Sequence, residues 1–279
     1  MAPGFLAVLA EPGDQVSLDE FHDWYDNEHI PLRLNHIPSF LSGARYQSID
    51  DIKPSWIAVY ELDGVESFKD PSYTALRETR SKREEDIIGR LEVLDRRTCE
   101  VAEEIGEDPE DSIERTTGLR VGNPSRWVVT HTIGNKPVGG VIADEDEEYE
   151  EVEKWLDEVV VKLANNLVEG WVKTRVLQVL ESAKTGTNVG EEQIALTYFI
   201  FHGKFFYIIL FTVQGLIVHF LKKFFWGASE FVSEENISPI FREIIENELK
   251  PSLQISEYRR WKLYKSYPSI AQGNVHLKA

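Results

Sequence analysis

Apolar and polar positions along residues 1–101 alternate between strand-like and helix-like periods. Short apolar or alternating runs that end at turn residues predict strands over 5–10, 40–49, 57–62 and 91–101. A helix is expected to begin after Ser17, because Glu20 follows at the spacing of a capping box, and to kink or end near Pro31. A second, highly charged helix is predicted over 70–88. The resulting order, β-α-β-β-α-β, is the ferredoxin-like split arrangement.

The second half of the chain repeats this pattern in a weaker form. The ordered matches are Trp24 with Trp155, Ile57 with Ile194, Phe68 with Phe231, and Arg96-Arg97 with Arg259-Arg260. Matches in order along several elements favour duplication over coincidence. We therefore predict an α+β protein of two tandem ferredoxin-like units, 1–101 and 126–267, joined by an acidic linker at 102–125 and followed by a tail at 268–279.

The spacing between matched positions increases by 26 residues (163 − 137 = 26) across an apolar stretch at about 203–228. An inserted amphipathic or buried helix is one explanation. A retained intron is another, because Gly203-Lys204-Phe205 can be encoded by a splice-donor-like sequence and the stretch is rich in Phe, Ile and Leu. We favour the retained intron over the inserted helix. Both are favoured over a membrane span, because polar residues interrupt a run that is short for a bilayer.

Composition excludes several classes of partner. The chain has 279 residues, with 48 acidic and 30 basic side chains, for a net charge of −18. A surface of that sign repels phosphate backbones and anionic lipid headgroups, so neither nucleic acid nor a membrane is expected as a partner. Cys99 is the only cysteine, which favours a cytoplasmic location, and the apolar run at 5–10 is too short for a signal peptide.

The candidate chemistry lies in the first predicted helix. His22, Asp26 and His29 are spaced i, i+4 and i+7, which places them along one helical stripe. A carboxylate close to an imidazole orients the ring and raises its pKa, as a general base near neutral pH requires, so Asp26 or Glu28 is the expected partner of His29. His29 is the strongest candidate, because its counterpart in the second half is Val160.

Four further residues could bind a substrate. The phenols of Tyr25 and Tyr46 could stabilise an enolate or phenolate oxygen, and Arg33 and Arg45 could hold a carboxylate. The structural alternative stays open for each, since such tyrosines are often core residues and such arginines often form ion pairs. No zinc-helix motif, cysteine cluster, P-loop or dinucleotide fingerprint occurs, so no metal and no cofactor is predicted.

One segment carries a family resemblance. WYDNEHIPLRL, the following Pro-Ser-Phe turn, the Ala-Arg-Tyr strand start and the IAVYEL strand resemble the EthD-like branch of the dimeric α+β barrel superfamily. The matching positions are Trp24, Tyr25, Glu28, His29, Pro38, Phe40, Arg45 and Tyr46, with Ser39 where the family usually has Gly. The second half matches only in outline, and Val159 and Val160 replace its Glu-His pair.

The resemblance implies ferredoxin-like units that pair into a barrel, which two copies in one chain could close as an internal pseudo-dimer, with a homodimer still possible. From fungal-type relatives it also implies a cofactor-independent decarboxylase or cyclase acting on an aromatic or polyketide-like acid. Other members of the superfamily are monooxygenases, isomerases, haem enzymes or proteins of unknown role. His29 would be the acid/base, Asp26 or Glu28 its partner, and Tyr25, Tyr46 and Arg45 would hold the substrate. The alternatives are a non-catalytic protein that binds apolar small molecules, or a degenerate or mispredicted paralogue.

Overall fold

In a computed structural model the protein is of the α+β class, and across the described residues eight strands close an antiparallel barrel. The structure describes residues 2–106, 117–135, 152, 154–155, 158, 171–188, 198–204, 210–213, 216–219, 243, 246–247, 249, 251 and 253–273. The predicted fold class is therefore confirmed at the level of an α+β barrel.

The first half contains the elements around the candidate chemistry. They are β1 (Gly4–Glu11), α1 (Leu18–Trp24), a π-helical turn (Tyr25–His29), α2 (Ile30–Leu34), β2 (Phe40–Ser48), β3 (Trp56–Leu62), a 3-10 turn (Val65–Phe68), α3 (Pro71–Glu78), α4 (Lys82–Arg90) and β4 (Val93–Gly106). The second half supplies β5 (Trp127–Asn135), β6 (Trp171–Thr185), β7 (Tyr198–Lys204), β8 (Leu210–Val213), β9 (Leu216–His219), β10 (Leu253–Tyr267) and a 3-10 turn (Ile270–Gln272).

The barrel is assembled from two groups of four strands with the same internal order. In the first half the neighbours run β4-β1-β3-β2, and in the second half they run β10-β5-β7-β6. The barrel closes where β2 pairs with β10 and where β4 pairs with β6, both antiparallel. Each seam therefore joins the second strand of one half to the last strand of the other.

Both faces of the first sheet are buried. On β1 the side chains of Leu6, Val8 and Ala10 face the helices, and those of the intervening residues face the barrel interior. Successive strand residues point to opposite faces, so burial on both sides requires a continuous apolar run. Trp261 of β10 lies in the interior core, where the two halves share one hydrophobic cluster.

Three boundaries differ from the predicted ones. The charged helix predicted over 70–88 is two helices, because Ser81 caps α4 by accepting a hydrogen bond from the Glu84 amide at 3.0 Å. Of the kink or end predicted near Pro31, an end does not occur: the π-helical turn stops at His29 and helical structure continues through Pro31 in the first turn of α2. The last strand of the first half continues to Gly106, past the predicted boundary at 101.

The predicted linker and insert are described in part. Within the linker, Leu119 is buried in the barrel-interior core and the Ser125 carbonyl accepts a hydrogen bond from Tyr46 at 3.0 Å. Within the insert, residues 210–213 and 216–219 form two short antiparallel strands rather than the inserted helix. The rest of 205–228 lies outside the described residues. Among the described residues, no helix combines the length and apolarity needed to cross a bilayer.

Candidate functional site

His29 is buried at the end of the π-helical turn that links α1 to α2. A π-helical turn contains one residue more than an α-helical turn, and it therefore rotates every side chain that follows it. His29 consequently leaves the stripe predicted from i, i+4 and i+7 spacing. Its ring packs against the rings of Trp24, with 4.6 Å between centroids, and Tyr25, with 5.1 Å.

The carboxylate that contacts His29 comes from α4, not from the helix that carries His29. Glu84 is buried, and its Oε1 lies 2.6 Å from His29 Nδ1. Glu84 occupies the third position of α4, where a capping-box glutamate would normally reach back to the amide of the cap residue. Here the carboxylate is turned toward the imidazole instead. The expected partner, Asp26 or Glu28, is thus corrected to Glu84.

The electrostatics of the pair define which atom carries the proton. Burial is the main reason that the pKa of His29 is lowered to about 4, and the positive charge of Arg33 acts in the same direction. Burial acts to raise the pKa of Glu84, yet the His29 hydrogen bond and nearby charges leave it lowered overall. At neutral pH a neutral imidazole therefore donates Nδ1–H to an ionised carboxylate, which leaves the lone pair on Nε2.

Four buried polar atoms have no hydrogen-bond partner among the described residues: Trp24 Nε1 and Tyr25 Oη, whose rings contact that of His29, Arg33 Nε, whose guanidinium donates to the His29 carbonyl, and Tyr60 Oη on β3. All four can donate a hydrogen bond. Burial raises the pKa of Tyr25 to about 12 and also raises that of Tyr60, so both phenols keep their protons. The positive charges of Arg45 and Arg33 oppose both shifts only in part. Unpartnered buried donors are rare in native proteins, and a catalytic role or a bound water or ion is a usual explanation for them.

Arg45 forms a second cluster beside the site. Its guanidinium lies over the rings of Phe21, Tyr25, Trp56 and Tyr264, at 4.3 to 5.4 Å from the centroids. It donates to Asp26 at 3.1 Å and approaches His22 Nδ1 at 3.0 Å. Burial, reinforced by Arg45, lowers the pKa of His22, which therefore accepts this hydrogen bond as a neutral ring. Asp26 and His22 engage two of its five N–H groups, and the side chain is buried, so the capture of a substrate carboxylate by Arg45 stays a prediction.

The other predicted residues have different positions. Asp26 is turned away from His29, toward Arg45, Lys265 and Tyr267. Glu28 hydrogen-bonds the hydroxyl of Ser81, the residue that caps α4. It therefore supports the helix that carries Glu84 rather than the imidazole itself.

Tyr46 does not belong to this site. Adjacent residues of a strand point to opposite faces of the sheet, so Arg45 faces the helices while Tyr46 faces the barrel interior. There its hydroxyl donates to Ser125, and burial raises its pKa far above the ordinary value. The sequence-based prediction that Tyr46 and Arg45 act together is wrong for this physical reason.

Glu84, Tyr60 and the indole N–H of Trp24 were missed as site residues. The S-x-x-E pattern of Ser81 and Glu84 is visible in the sequence, but it marks a helix start and does not indicate that the carboxylate is used elsewhere. Tyr60 reads as a core residue of β3. Among the described residues, no group of three or more His, Cys, Asp and Glu side chains is arranged to hold a metal ion.

Fold and site together define an α+β-barrel protein with a buried imidazole–carboxylate pair. No family model matches the chain. No curated protein matches it either.

Among solved structures, an anthrone oxidase-like protein aligns with 95% of this chain and 92% of its own, at 10% identity and a TM-score of 0.48. A putative chlorite dismutase aligns over 95% and 96%, at 11% identity and a TM-score of 0.44. A heme-binding protein from Thermus thermophilus aligns over 95% and 92%, at 10% identity and a TM-score of 0.44. Because these identities and TM-scores are low, the neighbours say nothing about the chemistry of this chain, which has to be inferred from its own side chains.

Proposed function

We propose that this protein is a cofactor-independent enzyme of the decarboxylase or cyclase type that acts on an aromatic or polyketide-like acid. The observation that carries the proposal is the buried His29–Glu84 pair, which contacts three side chains whose donors have no partner among the described residues: Trp24, Tyr25 and Arg33. A neutral imidazole beside unpaired donors is suited to remove a proton and to stabilise the oxyanion that results.

The chemistry would use both groups in one step. Nε2 of His29 takes a proton from a carbon next to a carbonyl, and the electrons of the C–H bond move onto the carbonyl oxygen. The Tyr25 and Tyr60 hydroxyls then donate to the enolate or phenolate oxygen, and Trp24 Nε1 can donate to a second oxygen. Glu84 stabilises the imidazolium while the enolate carbon adds to a second carbonyl carbon, and the proton then passes to the alkoxide oxygen that this ring closure forms. In a decarboxylation Nε2 instead takes the proton of the carboxylic acid, the electrons of the C–CO₂ bond move onto the carbonyl oxygen as CO₂ leaves, and the imidazolium returns the proton to carbon.

The proposal is tested with aryl β-keto acids and longer poly-β-keto acids in D₂O, with a chelator present. Proton NMR follows deuterium incorporation at the activated methylene and the loss of CO₂. The wild-type protein is expected to accelerate one of these reactions. His29→Gln is expected to reduce the rate at least about 100-fold, the usual contribution of a general acid/base. His36→Gln, at an exposed position, is the matched control. Equal rates for His29→Gln and the wild type would contradict the assignment.

A second candidate is non-catalytic binding of an apolar small molecule in the same place. The lowered pKa of His29 and the aromatic rings packed around it favour this alternative. It predicts saturable binding of an aromatic acid, detected by quenching of tryptophan fluorescence, without turnover and without change in affinity between about pH 5.5 and 7.5. A rate profile that depends on pH would exclude it.

We also propose that the barrel is an internal pseudo-dimer of two ferredoxin-like units, as in the dimeric α+β barrel superfamily and its EthD-like branch. The identical strand order of the two halves supports this proposal. The second unit would be the degenerate copy. If the full-length chain does not fold into a compact protein, that result would favour the alternative of a mispredicted paralogue. Sequencing the transcript across codons 203–228 tests the retained intron, because a message that lacks them supports it and a uniform full-length message removes it.

A further inference from the structure

We infer that β10, the last strand of the second half, positions the candidate site of the first half by holding Asp26 through Tyr267 and Lys265. The inference rests on the proposed function only in that it treats His29 as the reacting group. The two halves would thus share one site, although the chemical groups come from the first half alone.

A bulge in β10 makes these contacts possible. Leu263 pairs with Tyr46 and packs in the barrel interior, whereas Lys265 pairs with Arg45, so the pairing skips Tyr264. Without the extra residue, strict alternation would turn Lys265 to the interior, the same face as Leu263. The bulge therefore reverses the faces for the rest of the strand, and Lys265 and Tyr267 point toward the helices. Bulges frequently re-aim side chains next to functional sites.

Asp26 receives hydrogen bonds from both re-aimed residues. Tyr267 Oη donates to Asp26 Oδ1 at 2.5 Å, and Lys265 Nζ donates to Asp26 Oδ2 at 2.8 Å. The Lys265 side chain is 45% exposed, so this ion pair contributes little. Tyr267 is only 4% exposed and belongs to the core beneath the helices, so its bond to the carboxylate is the stronger of the two.

Asp26 and His29 lie in the same π-helical turn. The backbone of this turn determines where both side chains point, and a π-helical turn is less favourable than α-helix unless its surroundings hold it. His22, one helical turn earlier, stacks on Tyr264 of the same strand with 4.5 Å between ring centroids. Strand β10 therefore contacts both α1, through His22, and the π-helical turn, through Asp26. By fixing the backbone of this turn, the second half positions the His29 ring against Glu84.

The test reads the His29 ring directly. Long-range ¹H–¹⁵N spectra of the uniformly ¹⁵N-labelled full-length protein report the tautomer and the titration midpoint of each histidine, and His29→Gln assigns the signal. Tyr267→Phe removes the hydroxyl and keeps the ring. The charged groups that face His29 are Glu84 on α4, Arg33 on α2 and Arg80 before α4, and this variant changes none of them.

In Tyr267→Phe we expect the Nδ1-protonated signal of His29 to be partly replaced by the other tautomer. The midpoint should rise by about one pH unit, because a looser turn admits water to the ring. Tyr264→Phe is the matched control on the same strand. Its side chain is 40% exposed, and its hydroxyl has no hydrogen-bond partner in the described part of the chain. That variant should leave His29 as in the wild type.

An unchanged tautomer and midpoint in Tyr267→Phe would overturn the inference, and so would an equal change in Tyr264→Phe. If Tyr267→Phe does not fold, Asp26→Asn decides instead, because it weakens the same Tyr267 hydrogen bond from the other side and is not among the charged groups that act on His29: a shift in the same direction supports the inference and no shift overturns it. These signals do not depend on turnover. An absence of activity toward every acid would therefore refute the proposed function and leave this result intact.

Discussion

Replacing His29 with glutamine is expected to flatten the dependence of stability on pH between about pH 7.5 and 5.5. In the folded protein burial lowers the pKa of His29 to about 4, whereas an exposed histidine in the unfolded chain titrates near 6.5. Between these two values the unfolded chain binds a proton that the folded protein does not bind. Stability is therefore complete above pH 6.5 and is lost as the pH falls.

The size of the loss follows from the width of this interval. At one pH unit below 6.5 the free energy of unfolding has fallen by about 1.4 kcal/mol. The two pKa values differ by 6.5 − 4 = 2.5 units, so the largest loss, reached near pH 4, is roughly 3 kcal/mol. The pKa of Glu84 is lowered from 4.5, so its contribution disappears only below that pH and lies outside the measured interval. His22 and His131, whose pKa values are also lowered by burial, remain in every variant and cancel in the comparison.

Urea unfolding at about pH 7.5, 6.5 and 5.5 measures the effect. The sequence pI is about 4.9, so solutions closer to that pH would carry little net charge and favour association. The wild type should lose about 1.4 kcal/mol more than His29→Gln between the first and the last condition. His36→Gln, at an exposed position, should behave as the wild type. Parallel curves for the wild type and His29→Gln would refute a buried, neutral imidazole at this position.

Two further substitutions test the surroundings of the site and the closure of the barrel. A Cβ atom at Gly43 would lie 2.9 Å from Tyr60 Cδ1, so Gly43→Ala should displace the Tyr60 ring. We expect the variant to lose about 1–3 kcal/mol in urea unfolding and to change the near-ultraviolet circular dichroism spectrum. An unchanged spectrum and stability would show that the ring is not held there. Arg175 of the second half is buried and pairs with Glu61, at 2.6 Å, and with Glu104, both in the first half. Arg175→Gln leaves both carboxylates without the guanidinium and should cost about 3 kcal/mol in the same assay, whereas a loss near zero would mean that water solvates this seam.

Much of the fold follows from local pattern. The strands of the first half and the cap of the first helix lie close to their predicted positions, because alternation and capping depend on residues a few positions apart. The site was predicted less well. His29 is a candidate that the sequence predicts, but its partner, Glu84, lies 55 residues away. Local spacing suggested Asp26, which the π-helical turn directs to the opposite side.

By itself the sequence determined the order of helices and strands in the first half and the apolar runs that bury both faces of its sheet, and it singled out His29 as a candidate. Tertiary structure alone decided what that imidazole contacts. A π-helical turn and a bulge at Tyr264 each change the direction of every side chain that follows within their element. Neither irregularity leaves a local signature, because packing between elements far apart in the chain stabilises both. The partner of His29 therefore emerges only when α4 packs beside the π-helical turn, and Asp26 gains Lys265 and Tyr267 only when β10 pairs with β2.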